Sequence, residues 1–329
     1  MNPLISLTNW SPVAKALGDA NGIVLITHKN PDPDGIGSQL ALYHALKAMG
    51  KQVWIHNHDP VPRICRYLVG SDEATFGESF DHPDPVDTII SLDCGAKSRL
   101  GMPEAFYTGK TLINIDHHAS NIGFGEINVV DADYCATGAM IYDLLIDLDV
   151  KLSAVMASAL YIALMTDTAS FRLSTVTADV FRMAAELVEA GAEPAVASKA
   201  AYGSNSRARM ALLKLSLDTL KFHDEGCSAW LHVDADMYRQ TSADSEDVEG
   251  FIDYGHAIEG VMITVFLRQE TEEQWKLSFR GANGMDVGAL ATALGGGGHR
   301  YAAGCTLNGS TLAEVQEQVH PLVKELLTN

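Results

Sequence analysis

Aspartate and histidine recur at the polar ends of apolar runs in this 329-residue chain. The run GIVLIT leads to His28, and the loop KNPDPDG behind it carries Asp32 and Asp34. DTIISL leads to Asp93, TLINI to Asp116, His117 and His118, and AVMASALYIALMT to Asp167. Crowded carboxylates repel one another and are costly to bury without cations. A divalent ion resolves that conflict. Oxygen and imidazole donors without thiolate suit Mn²⁺ or Mg²⁺, with other transition metals open. Two ions about 3.5–4 Å apart that share a carboxylate activate water and stabilise a phosphoryl transition state.

Each piece also has a plainer reading. HKNPDPDG alone is a turn in which proline presets the backbone and Asp caps the next helix. Asp93 alone is a strand-end cap, Asp167 a solvated helix terminus, and His117-His118 a structural pair. None of these explains why all four fall at element ends.

The elements that must position these residues alternate in type. GIVLITH (22–28), KQVWIH (51–56), DTIISLDC (87–94) and TLINIDHH (111–118) read as buried strands. Helical patterns run from Ile36 to Met49 and over 136–148, 153–167 and 177–191, with Gly191 as a C-cap. Strands alternating with helices predict an α/β fold, a parallel Rossmann-like sheet flanked by helices. Ligands of such sheets bind outside the carboxyl ends of the strands, where the Asp and His residues fall. Residues 1–192 are therefore expected to form a metal-binding catalytic domain and 193–217 a helical connector. From 218 to 329 a smaller α+β domain is expected, with strands at 227–234, 261–270 and 274–281, a helical segment at 246–260 and, over 286–299, a helix running into a glycine turn.

Gly295, Gly296, Gly297 and Gly298 stand in a row before His299. A flexible linker is the plain reading of such a run. A helical pattern before it and the compact AAG after it favour a turn whose amides form an anion-binding nest. His299, Arg280 and Arg300 are then the side chains placed to hold a substrate phosphate or base. Arg99 and Arg172 follow Asp93 and Asp167 by a few residues and read equally well as site cations or solvated surface arginines.

Taken together, HKNPDPDG, DCG, DHH and the MTD that ends at Asp167 resemble the four motifs of the DHH phosphoesterase superfamily, in order. GGGGHRYAAG (295–304) resembles the signature of the DHHA1 domain. TSADSEDVEGFIDYGHAIEGV (241–261) resembles the same region of the oligoribonuclease and pAp phosphatase branch, the nano-RNases. The resemblance implies two ion positions, one held by His28, Asp32 and Asp93, the other by Asp34, Asp93, His117 and Asp167, with Asp93 bridging. It implies that His118 contacts the scissile phosphate or its leaving oxygen, that Asp116 supports the histidines, and that the glycine turn and Arg280 bind substrate.

The function so implied is hydrolysis of phosphoric esters with two Mn²⁺. Very short RNA or DNA oligonucleotides and 3′-phosphoadenosine 5′-phosphate (pAp) are the expected substrates, the second domain gripping the far end and so measuring length. A net charge of −19 speaks against a broad face for long duplex nucleic acid. Five scattered cysteines without CxxC, no basic leader with an apolar run, and no long apolar stretch predict a soluble cytoplasmic protein without a membrane partner. Whether it is a homodimer is left open. A phosphodiesterase for linear or cyclic dinucleotides is the nearest alternative, and a nucleotide sensor without turnover is disfavoured by the intact ligand set.

Overall fold

The computed structural model describes residues 8–80, 85–203, 205–282, 284–298 and 300–328. Contacts divide the chain into two units, 1–204 and 205–329. The division falls inside the expected 193–217 connector, which is two helices, one in each unit.

In the first unit α1 (Ser11–Asp19) precedes β1 (Gly22–Ile26), α2 (Pro33–Ala48) and β2 (Gln52–Asn57). Next come β3 (Thr75–Phe76), β4 (Thr88–Leu92), α3 (Glu104–Tyr107), β5 (Thr111–Asp116) and β6 (Ile127–Val130). Four helices follow: α4 (Thr137–Asp147), α5 (Ala154–Asp167), α6 (Ala178–Glu189) and α7 (Pro194–Tyr202). The sheet has the order β3-β2-β1-β4-β5-β6, and every pair is parallel. The expected parallel α/β sheet is therefore observed.

The strands read as unbroken apolar runs because both sheet faces are covered. Ile23 and Leu25 of β1 pack into the large core with α2, α4 and α5, while Val24 and Ile26 face Leu100, Phe106 and Tyr107 on the other side. β3 and β6 are short, carry exposed or half-buried residues, and lack that signature. Strand order reverses between β1 and β4, the point where a crevice opens at the carboxyl ends of the strands. The helices that bear Asp34 and Asp167 are locked together there. A Cβ at Gly37 of α2 would fall 2.3 Å from the carbonyl oxygen of Ala159 in α5, so only glycine permits this approach.

In the second unit α8 (Arg207–Asp218) leads to β7 (Lys221–His223), β8 (Ser228–Val233), α9 (Ala235–Thr241) and α10 (Phe251–His256). β9 (Ile263–Thr271), β10 (Gln274–Gly281), α11 (Val287–Ala293), β11 (Gly297–Gly298), β12 (Ala302–Asn308) and α12 (Leu312–Thr328) complete it. The mixed sheet has the order β11-β12-β10-β9-β8-β7, with β8 and β9 parallel. One expected helix proves shorter, and the expected helix into a glycine turn is observed. Only 251–256 of the 246–260 stretch is α-helical. α11 stops at Ala293 because Gly295, at φ +79°, closes a Schellman cap in which Gly296 N–H donates to Ala291 O and Gly295 N–H to Thr292 O. No helix among the described residues is long and apolar enough to cross a membrane.

Candidate metal centre

β1 and β4 deliver the first group. His28 lies just past β1, and its Nδ1–H donates to the Lys29 carbonyl at 2.8 Å. That bond turns Nε2 toward the carboxylates, 3.6 Å from Asp32 Oδ2 and 3.6 Å from Asp93 Oδ2. Asp32 is also the N-cap of α2, its Oδ1 accepting from the Asp34 and Gly35 amides at 3.1 Å each. One carboxylate thus starts the helix with one oxygen and faces His28 with the other.

The second group gathers around His117, whose Nδ1–H donates to the Tyr134 carbonyl at 3.2 Å. Its Nε2 lies 3.3 Å from Asp167 Oδ2, 3.7 Å from Asp93 Oδ1 and 3.8 Å from Asp34 Oδ2. Asp34 is buried at the N-terminus of α4, which donates the Thr137 amide to Oδ2 at 2.7 Å and the Gly138 amide to Oδ1 at 2.8 Å. The helix terminus so stabilises an anion that burial penalises.

Asp93 stands between the groups with Oδ2 toward His28 and Oδ1 toward His117. Thr137 Oγ1 donates to Oδ1 at 3.0 Å. The residue has φ +55°, a left-handed conformation that a non-glycine side chain adopts at a cost of about 1–3 kcal/mol. Asp32, the N-cap of α2, and Asp34, in its first turn, face different groups.

His118 has another partner. Its Nδ1–H donates to Asp116 Oδ1 at 2.7 Å and lies 3.7 Å from Asp93 Oδ1. Asp116 is fully buried, and its Oδ2 accepts from Asn121 Nδ2 at 2.7 Å. Of the two histidines Asp116 holds His118, whereas the Tyr134 carbonyl orients His117. Three sets of ligand atoms lie close enough to hold an ion: His28, Asp32 and Asp93; Asp34, His117 and Asp167; and Asp93, His117 and His118.

The electrostatics of these donors fit a divalent cation. Burial, reinforced by Asp93, Asp167 and Asp32, pushes the Asp34 carboxyl well above its usual range. Burial likewise pushes Asp167 up to about 7, against the lowering effect of His117. Asp93 goes the other way, because the surrounding histidines outweigh its burial. Burial would lower His28, but Asp32 and Asp93 raise it to about 10, and Asp116 and Asp93 raise His118 in the same manner. Ionising all of these carboxylates together is costly, and a divalent ion among them offsets that cost. Burial pushes the neighbouring thiols of Cys94 and Cys135 up to about 12, and neither belongs to the three sets, whose donors are oxygen and nitrogen alone.

Sequence reasoning missed Thr137, Gly138, Tyr134 and Asn121. The helical pattern beginning at ATG (136–138) could have flagged the first two, since a helix start offers free amides. Nothing in the sequence marks a backbone carbonyl at Tyr134 or the Asn121 amide.

In the second unit, Arg280 on β10 and Gly298 on β11 flank β12, paired to Ala302 and Ala303 respectively. Arg280 Nε is 3.6 Å from Asp253 Oδ1. Arg300 is exposed, with its guanidinium 5.6 Å from the Tyr301 ring centre. Packing accounts for part of the glycine run: a Cβ at Gly296 would fall 2.1 Å from Gly304 O, and one at Gly298 2.6 Å from Ala303 Cα. A Cβ at Gly297 would meet open space. His299 lies outside the described residues.

Comparison with known proteins agrees with this geometry. Residues 22–164 match the DHH family N-terminal domain and 231–326 the DHHA1 domain. The chain is 38% identical over 321 residues to the bifunctional oligoribonuclease and PAP phosphatase NrnA of Thermus thermophilus, covering 96% of this chain and 94% of that protein. Among solved structures, an exopolyphosphatase-related protein from Bacteroides fragilis superposes with a TM-score of 0.88 at 25% identity, covering all of both chains. RecJ of Thermus thermophilus in complex with Mn²⁺ shares the fold with a TM-score of 0.57 at 12% identity, over 95% of this chain and 53% of that one. The four motifs at the strand and helix ends, and the domain that follows them, place this chain in the DHH/DHHA1 phosphoesterase family.

Proposed function

We propose that this protein is a two-metal phosphohydrolase that degrades oligoribonucleotides a few nucleotides long and dephosphorylates pAp to AMP. The observation that carries the reading is Asp93, whose two carboxylate oxygens face two different groups of His and Asp ligands. The name of the Thermus relative supports the substrate class. Two Mn²⁺ are the expected ions, His28, Asp32 and Asp93 holding one and Asp34, Asp93, His117 and Asp167 the other. When bound, they supply an activated water and neutralise charge that develops on the phosphoryl group.

The chain's own residues do the rest. Asp116 fixes the proton on His118 Nδ1. His118 Nε2 is then the atom that gives a proton to the departing oxygen. Arg280, Gly295 to Gly298, His299 and Arg300 bind substrate within a domain spanning 218–329, while 1–192 carries the chemistry and 193–217 connects them. A net charge of −19 disfavours a long duplex and favours short substrates. The described cysteines are all free, as a cytoplasmic protein requires.

The test is Mn²⁺-dependent turnover of one preparation on pAp, 5′-phosphorylated RNA from dinucleotide to heptanucleotide, linear and cyclic dinucleotides, a long single strand, and pyrophosphate. Fast cleavage of pAp and the shortest RNAs, falling with length, is expected. Preference for the cyclic dinucleotide, the long strand or pyrophosphate overturns the substrate assignment. Tight binding of one ligand without turnover of any substrate overturns the enzymatic reading.

A further inference from the structure

Beside the His28 and Asp93 edge, three cations sit on two neighbouring loops: Lys29, Lys97 and Arg99. Lys97 is neutralised, its Nζ 2.6 Å from Glu104 and 4.3 Å from the Tyr107 ring centre. Lys29 and Arg99 are exposed; the Lys29 charge reaches Asp59, where it helps the Asn30 amide and His58 hold that carboxyl below its usual range, without closing to an ion pair. In a chain of net charge −19, two such cations next to a cluster of carboxylates call for a reason.

The loops are built together. The Lys29 amide donates to the Arg99 carbonyl at 2.7 Å, and the Lys29 carbonyl accepts from His28 Nδ1 at 2.8 Å. The backbone that aims a candidate metal ligand therefore also joins the two cations. The Lys29 stem has a defined course. At Gly101, φ +75°, a Cβ would fall 2.2 Å from Lys29 Cε and 2.7 Å from His58 Cδ2, so the lysine and imidazole fill the space that glycine leaves. His58 is itself tied to Asp59, Nδ1 to Oδ1 at 2.9 Å, and Asp59 Oδ2 accepts from the Asn30 amide at 2.8 Å. Arg99 is close enough for its charge to favour the thiolate of Cys94, the residue after Asp93.

We propose that Lys29 and Arg99 form an anion shelf for a second phosphate of the substrate, the one next to the phosphate that is hydrolysed. This rests on the phosphohydrolase reading and deepens it. A lysine and an arginine on joined loops present several N–H donors to phosphate oxygens, and their exposure keeps them accessible to a ligand. The shelf explains how an acidic protein receives a doubly phosphorylated nucleotide. The ions neutralise the reacting group, and the shelf neutralises its neighbour.

The experiment compares wild type, Lys29→Gln, Arg99→Gln and the double variant on two substrates at saturating Mn²⁺. pAp carries a second phosphate; bis(p-nitrophenyl) phosphate carries one phosphodiester and none beside it. Mn²⁺ binding is measured separately by electron paramagnetic resonance with the metal alone. On pAp, KM is expected to rise about tenfold or more per lost cation, the range of one charge-assisted hydrogen bond. The loss on bis(p-nitrophenyl) phosphate is expected to be at least tenfold smaller, Mn²⁺ affinity to stay within threefold, and Lys29→Arg to recover pAp binding. Equal losses on both substrates, no loss on either, or a matching loss of Mn²⁺ affinity overturns the shelf. If wild type hydrolyses neither substrate, the phosphohydrolase reading fails. Calorimetric binding of pAp to wild type and the double variant then decides the shelf, equal affinities refuting it.

Discussion

Replacing Asp116 with asparagine separates the chemistry of His118 from the binding of metal. The buried carboxylate accepts from two donors, His118 Nδ1–H and Asn121 Nδ2–H, each at 2.7 Å. Asparagine keeps the shape but offers one acceptor and one donor, so one of the two contacts becomes donor against donor. If the amide nitrogen turns to His118, the ring must take its other tautomer; if it turns to Asn121, the loop that carries it is disturbed. Either way a charge-assisted bond worth about 1.5–3 kcal/mol is lost. At about 1.36 kcal/mol per tenfold in rate, kcat should fall by about 10- to 150-fold. The His118 pKa, raised by Asp116 and Asp93 against its burial, should drop. A His118 that donates its proton to the leaving oxygen works only while protonated, so the high-pH loss of rate should move to lower pH. Initial rates of phosphate release from pAp across pH, at saturating Mn²⁺, give both quantities. A kcat within threefold of wild type with an unmoved profile would refute the role of the pair. A parallel loss of Mn²⁺ affinity would instead make His118 a metal ligand.

Other perturbations test neighbouring parts of the centre. Asp93→Ala removes the carboxylate between the two ligand groups and should abolish turnover; activity within tenfold of wild type would refute the bridge. Gly138→Ala places a Cβ 2.7 Å from Ala163 Cβ and 3.3 Å from Asp34 Oδ1. It should cost about 1–3 kcal/mol of stability in urea unfolding and weaken Mn²⁺ binding, and an unchanged midpoint would count against the tight packing of α4 on α5. Arg280→Ala should raise the KM for pAp about tenfold while changing kcat less, and the reverse pattern would remove Arg280 from substrate binding. Stability without metal should fall as pH rises from about 4 to 10. Asp167, raised to about 7, contributes most below its ordinary carboxylate range and loses that contribution as pH passes 7. His28, raised to about 10, contributes fully below its usual 6.5 and loses it toward 10. Because Mn²⁺ must displace these protons, the gain in Tm on adding it should grow from pH 5 to pH 8. A gain independent of pH would show that the protons and the ion do not compete.

Legibility varied with burial and with the range of the interactions. β1, β2, β4 and β5 were readable because a strand covered on both faces must be apolar throughout, and polar residues then mark where it ends. β3, β6 and β7 are too short and too exposed to leave such a trace. The two C-terminal elements, β12 and α12, lie beyond the glycine turn, and neither was anticipated. α11 and the turn behind it were legible because a helical pattern runs into glycines, whose backbone folds back as a cap; the short strand after the cap left no trace.

The sequence alone determined the types of the candidate ligands, their order, and their places at the ends of apolar runs, since metal chemistry restricts residue type and strand burial restricts spacing. It was enough to single out His28, Asp32, Asp34, Asp93, His117 and Asp167 together. Tertiary structure decided which oxygens face which nitrogen. Asp93 reaches both groups only because β1 and β4 are neighbours where strand order reverses, and its left-handed backbone turns its oxygens apart. Asp34 meets the amides of Thr137 and Gly138 from more than a hundred residues away, a contact made by α2, α4 and α5 packing closely enough to need glycine. Local sequence carries no record of such pairings, because a backbone amide has the same chemistry in every residue but proline, and only the fold aims it.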